Sequence, residues 1–462
     1  MTSIPPKTKP KEKNKKKNTI PNLKPAIISL SHTMSSSSPR VLIIGAGISG
    51  LALAQGLRRR GISFTIFERD ILSEPKRQNY RHKIAGPIQT KLRDLLTDEA
   101  WEEFVKNVAE TALGETTVNA IDGSVIACRK GRIQKGTTVP WTVERNLLRR
   151  AMMKGIEEDI QFGMRFVRFE VRDDDYSHDH DNKDEDDEKE KKEERKGAVV
   201  AAYFQDGTIE YGTLLVGADG IRSKVRKQLL PDLKPVDTET CCIYGKTWLS
   251  HELLSRFPPQ YRKWLTVIRD RTPFFHSTIS GEAPIALICE PIRFFSLDRG
   301  IVRPGSIHWC LVFPQDTSGL GSMELNEALA SLPAELAMEM TSDWHVSIRS
   351  LIELQDPSLT IGMRIYSADP NMEAWTPSER VTVMGDAVHV MSPCGGVGAA
   401  AALNDAYALV KIICEEGVSG TSIGKYEERM REFAKVCIQR SYEVGGKMVA
   451  VPAFEECAKV DL

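Results

Sequence analysis

The stretch from Val41 to Asp70 constrains the fold of this chain most strongly. It reads VLIIGAGISGLALAQGLRRRGISFTIFERD, an apolar run, a glycine turn, a helical pattern and a second apolar run that ends in acids. Gly45, Gly47 and Gly50 have the G-x-G-x-x-G spacing, which allows a tight turn, close approach of a pyrophosphate, and close packing of helix on strand. The stretch therefore predicts a βαβ unit that holds a dinucleotide at the start of its helix.

Three neighbouring residues extend this nucleotide pattern. Ala46 lies inside the glycine turn, and Glu68 ends the second apolar run, where an acid commonly binds a ribose hydroxyl group. Arg69 follows directly. We expect these residues to bind the cofactor, but they leave NAD, NADP and FAD undecided.

Composition limits the partners and the compartment. The 462 residues are 41% hydrophobic, and 62 basic against 63 acidic residues leave a formal charge of -1, so no overall field recruits nucleic acid. The nine cysteines are odd in number and form no C-x-x-C pair, which favours a reducing, cytoplasmic location and no metal site. No run of about twenty apolar residues predicts a membrane-spanning helix.

Two polar segments are predicted to be disordered because they contain little to bury. The first, residues 1–38, is rich in lysine, proline and serine, and Met34 is an alternative start. The second, residues 173–196, has acids first and bases last, and alternating apolar patterns flank it. We interpret it as the enlarged tip of a β-hairpin.

Two later segments carry further glycine turns. GTLLVGADGIRSKVRKQL predicts a buried strand, a turn with Asp219, and a helix; a simple β-turn capped by Asp219 is the alternative. RVTVMGDAVHVMSPCGGVGAAAALNDAYALVKII predicts a strand that ends at Asp386, a tight loop, and a long helix whose first backbone N–H groups are free. His389 lies between strand and loop, as either a site residue or a packing residue.

Together with VERNLLRRAM, these segments resemble the single-component (group A) FAD-dependent monooxygenases related to aromatic hydroxylases. The resemblance implies that Val41 to Asp70 holds the ADP half of FAD. It also implies that Arg145, Asp219, Asp386 and Ala399 bind the cofactor. In one difference, Ala400 stands where the family often has Asn.

The resemblance also implies the chemistry. NADPH or NADH reduces FAD transiently, O2 adds to give a flavin hydroperoxide, and one oxygen atom hydroxylates or epoxidises a hydrophobic or aromatic small molecule, in secondary metabolism. We expect backbone donors at Gly396 and Gly398 to stabilise charge on the flavin, with His389 as a further catalytic candidate. A flavin-dependent reductase or oxidase of the same fold, and a catalytically silent flavin-binding protein, remain open.

The expected fold class is α/β, or α+β overall, in which a Rossmann-like FAD-binding domain carries an inserted, mostly antiparallel substrate domain. We place the two parts of the FAD-binding domain at residues 39–235 and 376–435, the substrate domain at 236–375, and a C-terminal helical tail at 436–462. Several aromatic residues could line an apolar pocket, and three polar ones could bond a substrate, although ordinary core roles compete. They are Trp248, Phe274, Phe275, Phe294, Phe295, Trp309 and Phe313, with Tyr244, His276 and His308.

Overall fold

The computed structural model of this chain contains a parallel sheet and a larger, mostly antiparallel sheet. The described residues are 39–71, 80–132, 138–172, 200–270, 284–294, 304–449 and 451–462. The predicted tail and charged insert lie outside them, as do Phe274, Phe275, His276 and Phe295.

Strands occur from Arg40 to Val383 of the described chain. They are β1 Arg40–Ile44, β2 Ser63–Glu68, β3 Arg81–Ile84, β4 Ala109–Glu110, β5 Gly114–Asn119, β6 Val125–Lys130, β7 Trp141–Glu144, β8 Ile160–Phe162, β9 Phe166–Val171, β10 Val200–Phe204, β11 Ile209–Gly212, β12 Leu214–Gly217, β13 Val236–Trp248, β14 Leu265–Arg269, β15 Ala286–Phe294, β16 Ser306–Pro314, β17 Ile361–Ser367 and β18 Val381–Val383.

Helices alternate with these strands, and the longest two come last. They are α1 Ile48–Arg59, α2 Pro87–Leu95, α3 Asp98–Lys106, α4 Arg145–Met153, α5 Lys224–Leu229, α6 His251–Arg256, α7 Ser322–Ser331, α8 Pro333–Met340, α9 Val346–Glu353, α10 Asp386–His389, α11 Gly398–Glu416 and α12 Gly420–Met448. Within the described residues, no helix is long and apolar enough to cross a membrane.

A parallel sheet carries the glycine turn. Its strand order is β18-β12-β1-β2-β8, and each neighbouring pair is parallel. Strand β1 is almost wholly buried, as expected for a parallel sheet covered on both faces. Helix α1 packs between this sheet and α11. The Rossmann-like βαβ unit predicted from the sequence is therefore confirmed.

A second, mostly antiparallel sheet has the main order β17-β13-β16-β15-β14-β5-β6. Its one parallel pair along this path is β14 with β5. One face packs against α6 to α9, and Trp309 and Phe313 belong to that core. These two aromatic residues are therefore ordinary core, not pocket lining. The opposite face packs against the end of α12.

Two local features differ from or refine the predicted elements. The apolar periodicity of SMELNEALASLPAELAMEM predicts one helix. The segment instead forms α7 and α8, separated at Leu332, because Pro333 lacks the N–H group that would continue the first helix. Residues 436–462, predicted as a helical tail, begin inside α12 and end in an antiparallel bridge between Lys459 and Val236. The hairpin pattern around residues 173–196 is confirmed, because β9 and β10 pair antiparallel.

Candidate functional site

The three glycines of the first turn have different structural reasons to be glycine. Gly45 has φ +108°, and a Cβ atom there would lie 2.5 Å from the carbonyl oxygen of Ala218. A Cβ atom on Gly50 would lie 2.1 Å from the Gly45 oxygen. A Cβ atom on Gly47 would meet nothing closer than the Ala218 oxygen, at 4.0 Å. The fold requires the first two glycines, whereas Gly47 leaves open space above the start of α1.

Glu68 closes this turn from the end of β2. Its carboxylate is buried and accepts hydrogen bonds from the backbone N–H groups of Ala46, at 2.9 Å, and Asp70, at 3.1 Å. The acid predicted to bind a ribose thus lies directly beside the glycine turn. Arg69 points elsewhere: its side chain is 62% exposed and lies 3.6 Å from the Asp70 carboxylate.

Two arginines lie on the first turns of α4, and the second of them contacts the glycine turn. Arg145 begins the helix, and Arg149, one turn later, donates from Nε to the Ala46 carbonyl oxygen at 2.9 Å. Arg145 Nη1 and Arg149 Nη2 are buried and have no hydrogen-bond partner among the described residues. Burial lowers the pKa of Arg149, and the nearby Glu68 carboxylate opposes that shift.

Buried guanidinium N–H groups without acceptors are costly, and they are donors suited to a phosphate. Together with the space above Gly47, they fit the diphosphate of a dinucleotide, which the fold places at this helix start. Sequence reasoning identified Arg145 but missed Arg149. The signal was present, because residues four apart on a helix share one face.

Asp219 lies behind the glycine turn, on the loop after β12. Its carboxylate accepts hydrogen bonds from the Ser223 hydroxyl group, at 2.5 Å, and from the Lys224 N–H group, at 2.8 Å. The side chain therefore caps α5, the structural alternative considered from the sequence. Arg226 of the same helix donates to the Ala387 carbonyl oxygen and ties this loop to the turn after β18.

Asp386 lies at the start of α10, directly after the Gly385 turn. Its side chain is solvent-accessible, yet protein surrounds it at longer range, and this burial raises its pKa although His389 and Arg145 oppose the shift. Burial likewise raises the pKa of Tyr80, and the Arg145 guanidinium carbon lies 5.8 Å from the centroid of the Tyr80 ring. Asp386, Tyr80 and Arg145 therefore share one polar cleft next to the glycine turn.

His389 is buried below that cleft and is not open to it. Its Nε2 atom lies 2.5 Å from Asp405 Oδ2, and the same oxygen accepts the Gly385 N–H group at 3.0 Å. Burial alone would lower the pKa of His389, but the Asp405 carboxylate raises it above its ordinary value. The pair fixes the turn that carries Asp386. Asp405 was not selected from the sequence.

The loop after Ser392 leads into α11. Pro393–Gly395 form a 3-10 turn, and Gly396, with φ +62°, donates its N–H group to the Pro393 oxygen at 2.9 Å. The N–H group of Gly396 is therefore already used. Those of Gly398, Ala399 and Ala400 form the first turn of α11 and make no hydrogen bond to the described residues. A Cβ atom on Gly398 would lie 3.8 Å from its nearest neighbour, the Met391 side chain, so there is open space above the start of this helix.

An apolar wall lies beside this loop, on the α12-facing side of the antiparallel sheet. We use "sheet wall" for its residues Cys242, Tyr244, Ile288, Cys310 and Met363, against which Cys394 of the loop packs. Tyr244 stacks on Tyr80, with ring centroids 4.8 Å apart and planes 25° apart. The stack joins the sheet wall to the polar cleft.

A buried ion network lies farther along the same sheet face. Lys246 Nζ lies 2.9 Å from Glu144 Oε1, and His308 Nε2 lies 3.0 Å from the same oxygen. Burial raises the pKa of Glu144, but these partners outweigh it and hold the pKa at about 2. Burial lowers the pKa of His308. His308 thus bonds a protein carboxylate, and Glu144 directly precedes Arg145 at the start of α4.

Comparisons with known proteins agree with this geometry. A family model described as FAD binding domain matches residues 39–240 and 354–441. A dual O-methyltransferase/FAD-dependent monooxygenase from Phaeosphaeria nodorum is 37% identical over 96% of this chain and 50% of its own length. A second dual O-methyltransferase/FAD-dependent monooxygenase, from Cercospora beticola, is 38% identical over 90% of this chain and 47% of its own length. The chain spans about half the length of these two relatives.

A solved structure shares the fold over nearly its whole length. It is a putative FAD-containing monooxygenase from Photorhabdus luminescens, with a TM-score of 0.68 and 25% identity, covering 89% of this chain and 99% of that one. The family model covers both the glycine turn and the loop before α11. The chain therefore belongs to the FAD-binding family of aromatic-hydroxylase-like, FAD-dependent monooxygenases.

Proposed function

We propose that this chain is a monooxygenase that uses FAD, NADPH or NADH, and O2 to hydroxylate or epoxidise a hydrophobic or aromatic small molecule. The observation that carries the proposal is that two groups of N–H donors have no acceptor among the described residues, one group at each end of the cleft. Guanidinium groups of α4 with unpartnered N–H groups lie at the end of the glycine turn, which Arg149 contacts, and the first N–H groups of α11 lie at the other end. Donors of these two kinds suit the diphosphate and the electron-rich ring of a flavin dinucleotide.

We propose the following cofactor contacts. The N–H groups around Ala46 and Gly47, with Arg145 and Arg149, hold the diphosphate, while Glu68 holds the adenosine ribose. Asp386 accepts a hydrogen bond from the sugar-alcohol chain. Asp219 acts through its cap on α5, which shapes the turn behind Gly45, and the exposed Arg69 serves the outer edge of the nucleotide.

The bound flavin supplies the hydride acceptance and the oxygen activation. The chain's own task is to orient and to stabilise charge. The N–H groups of Gly398 and Ala399 donate to the electron-rich edge of the ring, without desolvating a charged side chain. Gly396 supports them by closing the preceding turn, and His389 acts through Asp405 by fixing the turn at Gly385.

We also propose where the substrate lies. The sheet wall adjoins the loop that carries the ring donors, because Cys394 packs against it. A largely apolar surface there suits a hydrophobic substrate and excludes water. The division into a FAD-binding and a substrate domain, and a cytoplasmic location, are further parts of this proposal. A role in secondary metabolism is a last part of it.

Isotopically heavy O2 separates this function from its alternatives. The purified chain is incubated with FAD, NADPH or NADH, and extracts of the source organism's metabolites. A monooxygenase transfers one heavy oxygen atom to an organic product. A reductase or oxidase of the same fold consumes the nicotinamide cofactor and leaves the organic products unlabelled, and a silent flavin-binding protein shows no metabolite-stimulated consumption.

A further inference from the structure

We propose that a cavity between α12 and the loop that joins β17 to β18 binds a phosphate monoester, held by Arg431 and Lys435. The inference goes beyond the proposed function, because none of the residues that line this cavity belongs to the cofactor cleft. The cavity has a volume of about 270 Å³, and its lining residues are Pro370, Asn371, Met372, Arg431, Glu432 and Lys435. A space of this size suits a phosphate group and part of the molecule that carries it.

The two cations of the cavity lie on one face of α12. Arg431 and Lys435 are four residues apart, about one helical turn, so their side chains are neighbours. Like charges at this spacing repel each other. No described residue forms a salt bridge with either side chain. A phosphate monoester carries nearly two negative charges at neutral pH, and it therefore matches this pair better than a carboxylate does.

Arg431 is held in place and still has an unused donor. Its guanidinium carbon lies 4.6 Å from the centroid of the Trp375 ring, a contact that fixes the orientation of the group. Its Nη1 atom is buried and has no hydrogen-bond partner among the described residues. A buried guanidinium N–H group without an acceptor is costly, and a phosphate oxygen atom is well suited to accept from it. This unpartnered donor is the observation that points to a ligand.

The acids near Arg431 do not replace that ligand. Burial raises the pKa of Glu427 to about 7, although Arg431 opposes the shift, so this carboxyl group is only partly ionised at neutral pH. The Asp369 carboxylate accepts a hydrogen bond from the Asn371 N–H group at 2.7 Å and shapes the loop. Glu432 is exposed at the cavity, where its charge opposes a bound anion. Its removal should therefore act in the opposite direction from loss of a cation.

Two probes that differ by one phosphate group test the site. Adenosine 2′-monophosphate and adenosine are titrated calorimetrically into the FAD-loaded protein, and we expect the wild type to bind the phosphorylated probe about a hundredfold more tightly. Arg431→Gln and Lys435→Gln should each weaken its binding about tenfold, because one charge-assisted contact is lost. Lys435 is exposed, so its substitution should not disturb folding. Glu432→Gln should strengthen binding.

The matched control is Arg429→Gln, which removes an exposed cation of α12 that does not line the cavity and should leave binding unchanged. A wild type that binds the two probes equally, or a Lys435→Gln protein with wild-type affinity for the phosphorylated probe, overturns the inference. The titration needs no turnover, so a chain that transfers no oxygen to a product is tested equally well.

Kinetics identify the source of the phosphate group. Met372 of the cavity and Val397, which directly precedes α11, belong to one apolar cluster, so the cavity lies near the end of the cleft assigned to the flavin ring. If the natural occupant is the 2′-phosphate of NADPH, Lys435→Gln should raise the KM for NADPH about tenfold and leave the KM for NADH unchanged. Unchanged KM values for both, together with lost probe binding, assign the site to a separate phosphorylated metabolite.

Discussion

His389 and Asp405 form a buried pair, with 2.5 Å between Nε2 and Oδ2, and the same carboxylate oxygen holds the N–H group of Gly385. The pair joins α10 to the middle of α11, and the Gly385 turn that precedes α10 carries Asp386 into the cleft. A side chain that was a catalytic candidate in the sequence therefore lies one layer below the site, where it can set the position of the turn.

This pair predicts a particular pH dependence of stability. The pKa of His389 is raised above 6.5 when the protein folds, so its contribution is fully present below pH 6.5 and is lost as pH rises through the folded-state pKa. The difference in free energy of unfolding between wild type and His389→Gln should shrink with rising pH. Urea denaturation at several pH values measures it, and a difference that grows with pH contradicts the assignment.

The glycine turn offers a matched pair of substitutions. The Cβ atom of Gly47→Ala would lie 4.0 Å from the Ala218 oxygen and no closer to any other protein atom, whereas the Cβ atom of Gly50→Ala would lie 2.1 Å from the Gly45 oxygen. We expect Gly47→Ala to fold normally and bind FAD about tenfold more weakly, because the added methyl group keeps the diphosphate away from the backbone. Gly50→Ala should lower the melting temperature of the FAD-free protein. Equal effects of both substitutions on folding would refute the distinction.

A substitution of Arg149 tests whether this residue binds the diphosphate of FAD together with Arg145. Arg149→Gln should weaken FAD binding about tenfold and reduce its sensitivity to salt, because one charged donor to the diphosphate is lost. Arg150→Gln, on the exposed face of the same helix, is the control and should change neither. Fluorescence titration of FAD at two salt concentrations gives both quantities. Normal FAD affinity in Arg149→Gln would remove this residue from the site.

The start of α11 can be tested by adding a side chain at Gly398. A Cβ atom there lies 3.8 Å from Met391, so Gly398→Val should fold, while its methyl groups fill the space above the helix start. We expect product formed per NADPH consumed to fall about a hundredfold, as loss of oriented backbone donors would cause. Gly420→Val, at the first residue of α12, is the matched control and should couple normally. Normal coupling in both variants would show that the ring is held elsewhere.

The ion network that lies on the same sheet face as the sheet wall predicts a stability effect. Lys246→Met removes the ammonium partner of the buried Glu144 carboxylate and should cost about 3 kcal/mol of unfolding free energy. Pairing it with Glu144→Gln should restore part of that loss. In the wild type, the contribution of Glu144 is present above pH 4.5 and is lost as pH falls towards about 2. A Lys246→Met protein as stable as wild type would argue against the network.

The sequence predicted those parts of the fold that short segments encode. The glycine turn, its flanking strands and Glu68 lie within one βαβ unit, where spacing alone sets the geometry. The loop before α11 was predicted for the same reason. The single helix predicted across Pro333 was wrong, because the apolar periodicity continued through a residue that breaks the backbone pattern.

The long-range contacts could not be predicted in this way. Tyr80, directly before β3, stacks on Tyr244 of β13, and no local pattern encodes a contact between segments so far apart in the sequence. The hydrogen bond from the Gly385 N–H group to Asp405 spans the loop before α11, and the sequence does not specify the path of that loop. Similarly, the core position of Trp309 depends on which sheet face meets the helices. Alternation of apolar and polar residues along a strand separates the two faces but does not show which face packs against helices.

The central claim is that one FAD spans the cleft from the glycine turn to the start of α11. A crystal structure of the chain grown with FAD tests it most directly. The account predicts diphosphate oxygen atoms within hydrogen-bond distance of the Gly47 N–H group and the Arg145 and Arg149 side chains, with the flavin ring beside the N–H groups of Gly398 and Ala399. A diphosphate bound away from these guanidinium groups, or a ring that does not approach α11, would contradict it.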